Sequence, residues 1–116
     1  MEIIRLHVGK RLSEAAIHNG TVYLAGQIAD DTAADIGGQT REVLGHVDRL
    51  LMEAGSDKSC ILMCQIFIAD MAGFAGMNAV WDEWVTSGHT PPRATVESTL
   101  ANPACLVEIV VTAALR

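Results

Sequence analysis

Hydrophobic and polar positions follow two different periods along the chain, and the changes between them mark the elements. Residues 2–8 form a short first run containing the β-branched pair Ile3 and Ile4, a strand signature. Two more strand-like runs, 13–17 and 21–25, flank His18-Asn19-Gly20. Asn-Gly between apolar runs predicts a tight hairpin, because both residues tolerate the positive φ of a type I′ turn. After an acidic, loop-like stretch over 26–38, the period becomes helical. Val43, Leu44, Val47, Leu50, Leu51 and Ala54 fall at the spacings of one apolar stripe. They predict a helix over about 35–54, with Asp35 near its start and Gly55 just past its end. His46 falls on the polar face of that helix.

Residues 61–69 read as a strand that is apolar on both parities apart from Gln65. A second helix is expected over 72–86, with Phe74, Met77, Val80, Trp81, Trp84 and Val85 as its buried stripe. The two tryptophans there read as core residues rather than as a ligand cage. Gly88 should end this helix, and Pro91-Pro92 prevents its continuation. Strands over 93–99 and 106–114 complete the order β-β-β-α-β-α-β-β.

That order predicts a single domain over 1–116, an α+β sandwich of two layers with two helices on one face of one mixed sheet. The last strand has apolar residues on both sides: Val107, Ile109, Val111 and Ala113 on one, Leu106, Val110 and Ala114 among the other set. Two helices can cover only one face. The other would leave an apolar patch that monomers rarely tolerate, so a homo-oligomer is expected.

Charge then narrows the function classes. Fourteen acidic against 8 basic side chains leave a net charge of -6, which disfavours a nucleic-acid or anionic-membrane surface. No apolar run has the roughly 18–20 residues of a spanning helix, and no basic-then-apolar leader is evident, so a cytoplasmic location is expected. Three cysteines cannot close a disulfide framework. Cys60 and Cys64 lie about 13 Å apart if the strand is extended, too far for a bridge. The four histidines are scattered without the spacing of a metal site, and no metal is expected. Neither a nucleophile elbow nor a phosphate-binding glycine loop is present.

One segment carries candidate chemistry. Pro91-Pro92-Arg93-Ala94-Thr95-Val96-Glu97 delivers an arginine from a stiff diproline to the start of a strand. A guanidinium offers two parallel donors that match a carboxylate. Taken alone, it reads first as a solvated strand-end arginine. Pro92–Glu97, with the later Val107-Glu108-Ile109, resembles the C-terminal signature of the RidA/YjgF family of reactive-intermediate imine deaminases. Ala25-Gly26-Gln27-Ile28 is similar to that family's Ser-Gly-Gln-Ile loop, and Phe74-Ala75-Gly76-Met77-Asn78 to its entry into the second helix.

The resemblance spans nearly the whole chain in the same element order. It implies a chorismate-mutase-like fold, a homotrimer with clefts between subunits, no cofactor, and hydrolysis of 2-imino acids to 2-keto acids and ammonia. It also implies that Arg93 clamps the substrate carboxylate, and that Gly26, Asn78 and Thr95 contact the substrate. Three positions depart from the pattern. Val110 stands where many members have a second glutamate, proposed to position the attacking water. Ala25 replaces the loop serine, and Leu12 lies where a tyrosine is common. These departures keep open an alternative: a non-catalytic trimer that binds small carboxylate metabolites.

Overall fold

A computed structural model describes residues 2–116. The chain is an α+β protein with β1 (Ile4–Val8), β2 (Ser13–His18), β3 (Thr21–Leu24), α1 (Ile36–Ala54), β4 (Ile61–Ile68), α2 (Phe74–Trp84), β5 (Arg93–Glu97) and β6 (Val107–Ala114). The strands form one six-stranded sheet in the order β1-β2-β3-β6-β4-β5. Every neighbouring pair is antiparallel except β4 with β5. Those two are parallel because α2 carries the chain back between them.

Local chemistry accounts for the boundaries. Asn19 and Gly20 adopt φ of 53° and 77°, as the hairpin signal predicts. The Asp35 carboxylate accepts from the Gly38 N–H and caps α1, and Gly55 leaves the helix at φ 92°. The second helix is shorter than its stripe suggests. Residues Met71–Gly73 form a 3₁₀ turn, with Asp70 accepting from the Ala72 N–H, so α2 begins only at Phe74. Its end is set by Val85, which is already extended at ψ 143°, and not by Gly88, which serves a later turn at φ 80°. β5 is shorter than expected too, ending at Glu97.

Both helices cover one face. Val43, Leu44, Val47, Leu50 and Leu51 of α1 are buried, as are Cys64, Ile66, Ile68, Val107, Ile109 and Val111 of the sheet. Burial along β6 alternates strictly. The opposite face carries Tyr23, Met63 and Val96, which are 51%, 44% and 47% exposed, so the expected uncovered apolar face is present. No helix among the described residues is long and apolar enough to cross a membrane.

Candidate functional site

The parallel crossover brings the start of β5 under the middle of α2. Pro92 joins the ladder by accepting from the Cys64 N–H at 3.0 Å, and Arg93 pairs with Cys64 in register. Cross-strand partners share a face, so Arg93 points to the helix side. There its Nη1 donates to the Asn78 Oδ1 at 2.8 Å. The guanidinium carbon lies 5.0 Å from the Trp81 ring centroid and 5.9 Å from that of Phe74. Phe74, Asn78 and Trp81 are spaced i, i+4, i+7, one face of a helix. Among the described residues no carboxylate pairs with Arg93.

Thr95, two residues on and on the same face, has a buried Oγ1 without a hydrogen-bond partner. The Cys64 thiol beside Arg93 is no nucleophile. Burial pushes it up to about 12, and the nearby guanidinium only partly offsets this. All three cysteines are free, Cys64 and Cys105 buried and Cys60 half-buried.

Gly26 lies elsewhere. The following residue, Gln27, exchanges two backbone hydrogen bonds with Ile109, at 2.8 and 3.1 Å. Its buried amide donates to Glu14 and to the Ala25 carbonyl. This seats Gly26 directly against the Glu108 side chain: a Cβ at position 26 would run into the Glu108 carboxylate. A side chain at position 26 would therefore displace the Glu108 carboxylate from its present place. Next to Gly26 is a concavity of about 190 Å³, lined by Glu14, Gln27, Ile28, Asp30, His46 and Arg49.

The loop beyond Gly26 is clipped to α1 by Glu42. Its two oxygens accept from the N–H groups of Asp30 and Asp31 at 2.9 and 3.0 Å. His46, one turn on, lies 3.3 Å from both Asp30 and Glu42. The ligand atoms of these three residues fall within 4.8 Å of one another, a juxtaposition that the scattered histidines do not announce. The geometry is that of a hydrogen-bonded latch. Glu42 is occupied by backbone donors, and the His46 Nδ1 faces Arg49 at 3.2 Å. An arginine can only donate, so Nδ1 accepts, while Nε2 faces the carboxylates.

The structure therefore joins Arg93, Asn78 and Thr95 and sets Gly26 apart from them. Gly26 is separated from β5 by β6 and β4, three inter-strand steps or roughly 14 Å. Glu108 pairs with Phe67, on the face opposite Arg93. Val110 shares that open face, opposite Gln65, and Leu12 is 57% exposed in the β1–β2 connection. Two partners of Arg93, Phe74 and Trp81, escape the sequence reading, which assigns both to the core. Trp81 is indeed 6% exposed, but Phe74 is 38% exposed. The i, i+4, i+7 relation to Asn78 was the available signal.

Comparison with known proteins agrees with this layout. The family model described as Endoribonuclease L-PSP matches residues 3–115. A RutC family protein of Haemophilus ducreyi is 48% identical over 114 residues, covering 98% of this chain and 97% of the relative. The RutC family protein YoaB of Escherichia coli is 44% identical over 115 residues, with 99% and 100% covered. The crystal structure of a YjgF-family member from Neisseria meningitidis superposes with a TM-score of 0.97 at 43% identity, covering 100% of this chain and 97% of that one. A Pseudomonas aeruginosa protein also gives 0.97 at 43%, with 99% and 100% covered. With the family model matching residues 3–115 and relatives 48% and 44% identical over almost their full length, this chain belongs to the YjgF/RutC family, also described as Endoribonuclease L-PSP.

Proposed function

We propose that this protein hydrolyses 2-imino acids to 2-keto acids and ammonia, in clefts between the subunits of a homotrimer. The observation that carries the reading is Arg93: a guanidinium held by Asn78, backed by aromatic rings, and facing no carboxylate among the described residues. Such a group is prepared for an external anion. Donors remain beyond the one given to Asn78, enough for a two-point grip on a substrate carboxylate. Thr95, with its unpaired hydroxyl, is a second donor at the same place. An RNA-cleaving role fits less well, since a net charge of -6 repels a phosphate backbone.

Glu108 is the group suited to the water. With Arg93 holding the carboxylate, the Glu108 carboxylate takes a proton from water as its oxygen attacks the imine carbon. That proton passes to the nitrogen to give a carbinolamine; its hydroxyl proton then moves by way of Glu108 to the nitrogen as the C–N bond breaks, so ammonia leaves as the C=O of the keto acid forms. The Gly26 backbone approaches the ligand at the same point. Because Arg93 and Glu108 are on opposite faces of one sheet, a single chain cannot present both to one substrate; two chains can. The exposed apolar face with Tyr23, Met63 and Val96 favours such an assembly. No cofactor or metal is needed for this chemistry, and three free thiols suit the reducing cytoplasm.

The test is an amino-acid oxidase that generates imines from several amino acids, with imine decay followed in the presence and absence of the protein. Faster decay to keto acid is the expected result; unchanged decay for every imine overturns the reading. The second reading, a carboxylate-binding trimer without turnover, is favoured by Val110 in place of the family's second glutamate. It predicts keto-acid binding with no acceleration.

A further inference from the structure

We infer that Trp81 is a positioning residue for Arg93: its indole face sets the plane of the guanidinium and thereby the direction in which its donors point. The inference rests on the reading of Arg93 as the carboxylate clamp. A single hydrogen bond, from Nη1 to Asn78, fixes one atom of a planar fork and leaves the fork free to swing about that atom. A ring centroid 5.0 Å from the guanidinium carbon restricts this freedom, because a planar cation is attracted to an aromatic face. Phe74, at 5.9 Å, adds a second and more exposed ring.

The indole is itself held. Trp81 is 6% exposed and packs against Trp84 with ring centroids 5.3 Å apart. The Trp84 Nε1 donates to the Asp48 carboxylate on α1 at 2.9 Å, and the Lys58 ammonium lies 5.3 Å from the Trp84 ring centroid. A run of fixed groups thus leads from α1 through both tryptophans to the fork. Flat two-point recognition of a carboxylate depends on such orientation; attraction by a point charge does not.

These are the chain's only two tryptophans, so intrinsic emission can report on the fork. The experiment titrates 2-oxobutanoate, a stable keto acid of the product class, into the assembled protein, reading tryptophan fluorescence and calorimetric affinity. Trp84→Phe should keep a ligand-dependent emission change, and Trp81→Phe should lose it while holding affinity within about threefold of wild type. Trp81→Leu, which removes the ring face, should weaken binding by roughly 2- to 30-fold. In imine turnover the loss should appear in KM with kcat nearly unchanged, since the carboxylate is gripped equally before and during reaction. Phe74→Leu, at an exposed position, should weaken binding in the same direction and guards against a folding defect in Trp81→Leu. Equal affinity in Trp81→Leu, Phe74→Leu and wild type, with binding lost in Arg93→Ala, would overturn the role of the rings and leave the clamp standing. Undiminished binding by Arg93→Ala would instead remove the clamp, and this inference with it.

Discussion

At the scale of single residues, the proposed function rests most heavily on Arg93. On the proposed function, Arg93→Ala would remove a charge-assisted, two-point pair with the substrate carboxylate. The expected loss is about 2–5 kcal/mol, or roughly 30- to 5,000-fold in kcat/KM. Arg93→Lys should restore little, because an ammonium cannot reproduce the fork. Imine decay and keto-acid affinity measure both variants, with size checked in parallel; a fully active, assembled Arg93→Ala protein would place carboxylate recognition elsewhere. Glu42 makes a different residue-scale prediction, on pH. Hydrogen bonds from the backbone N–H of Asp31 and then Asp30 hold its carboxyl below the ordinary value of 4.5; Asp30 and His46 face it, with Arg49 beyond. A depressed carboxylate contributes its stabilisation above the unfolded value and loses it as pH falls through the folded one. Amide exchange at Asp30 and Asp31 should therefore stay protected from neutral pH down to below 4.5. In Glu42→Gln the protection should be lower throughout the range in which Glu42 is ionised, because an amide nitrogen now faces a backbone donor. Equal protection in both proteins would mean that the loop holds itself.

At the scale of elements, legibility tracks how local the determining interaction is. α1 was readable almost to the residue, since its stripe, the Asp35 cap and the αL glycine all lie within a few positions of the features they control. The β2–β3 hairpin was readable for the same reason. α2 was less so: its entry depends on an Asp70-capped 3₁₀ turn, and its Phe74 faces a strand-edge arginine rather than the core. Gln39 was not legible at all. It is fully buried, its amide N–H groups reach the carbonyls of Thr32, Ala34 and Ala104, and its oxygen accepts from the Leu106 N–H at 2.8 Å. That one side chain ties α1 to the loop before it and to the entry into β6, across 67 residues of sequence. Nothing in a helix period announces such a partner. Gln39→Met, close in volume, should leave several of these backbone groups unsatisfied, at about 1–3 kcal/mol each before any regain water. A fall in Tm of roughly 10 °C or more is expected in a thermal scan. A shift of only a degree or two would show that the network contributes little to stability.

At the scale of the whole molecule, the candidate site was legible as residues but not as a place. Arg93, Asn78, Thr95 and Gly26 were all marked by their motifs, yet the sheet order β3-β6-β4-β5 sets the first three on one edge and Gly26 three strands away. Glu108, part of the Val107-Glu108-Ile109 match, faces Gly26 and shares its side of the molecule. On the proposed function one chain would carry two half-sites, an anion-gripping one and a carboxylate-bearing one, and closing a ring of three copies would bring unlike halves together. Complementation tests this. Arg93→Ala and Glu108→Gln proteins should each be nearly inactive alone. In the proposed trimers, formed by co-expressing the two in equal amounts, each cleft would take its arginine from one chain and its glutamate from the next. Half of the chains supply either intact group, so about one quarter of the clefts should be whole and about one quarter of wild-type activity should return. Sedimentation of the mixture and of each variant checks that assembly is unchanged. If both groups of a site came from one chain, every cleft in the mixture would lack one of them, and activity would stay at the level of the single variants however well the subunits mixed.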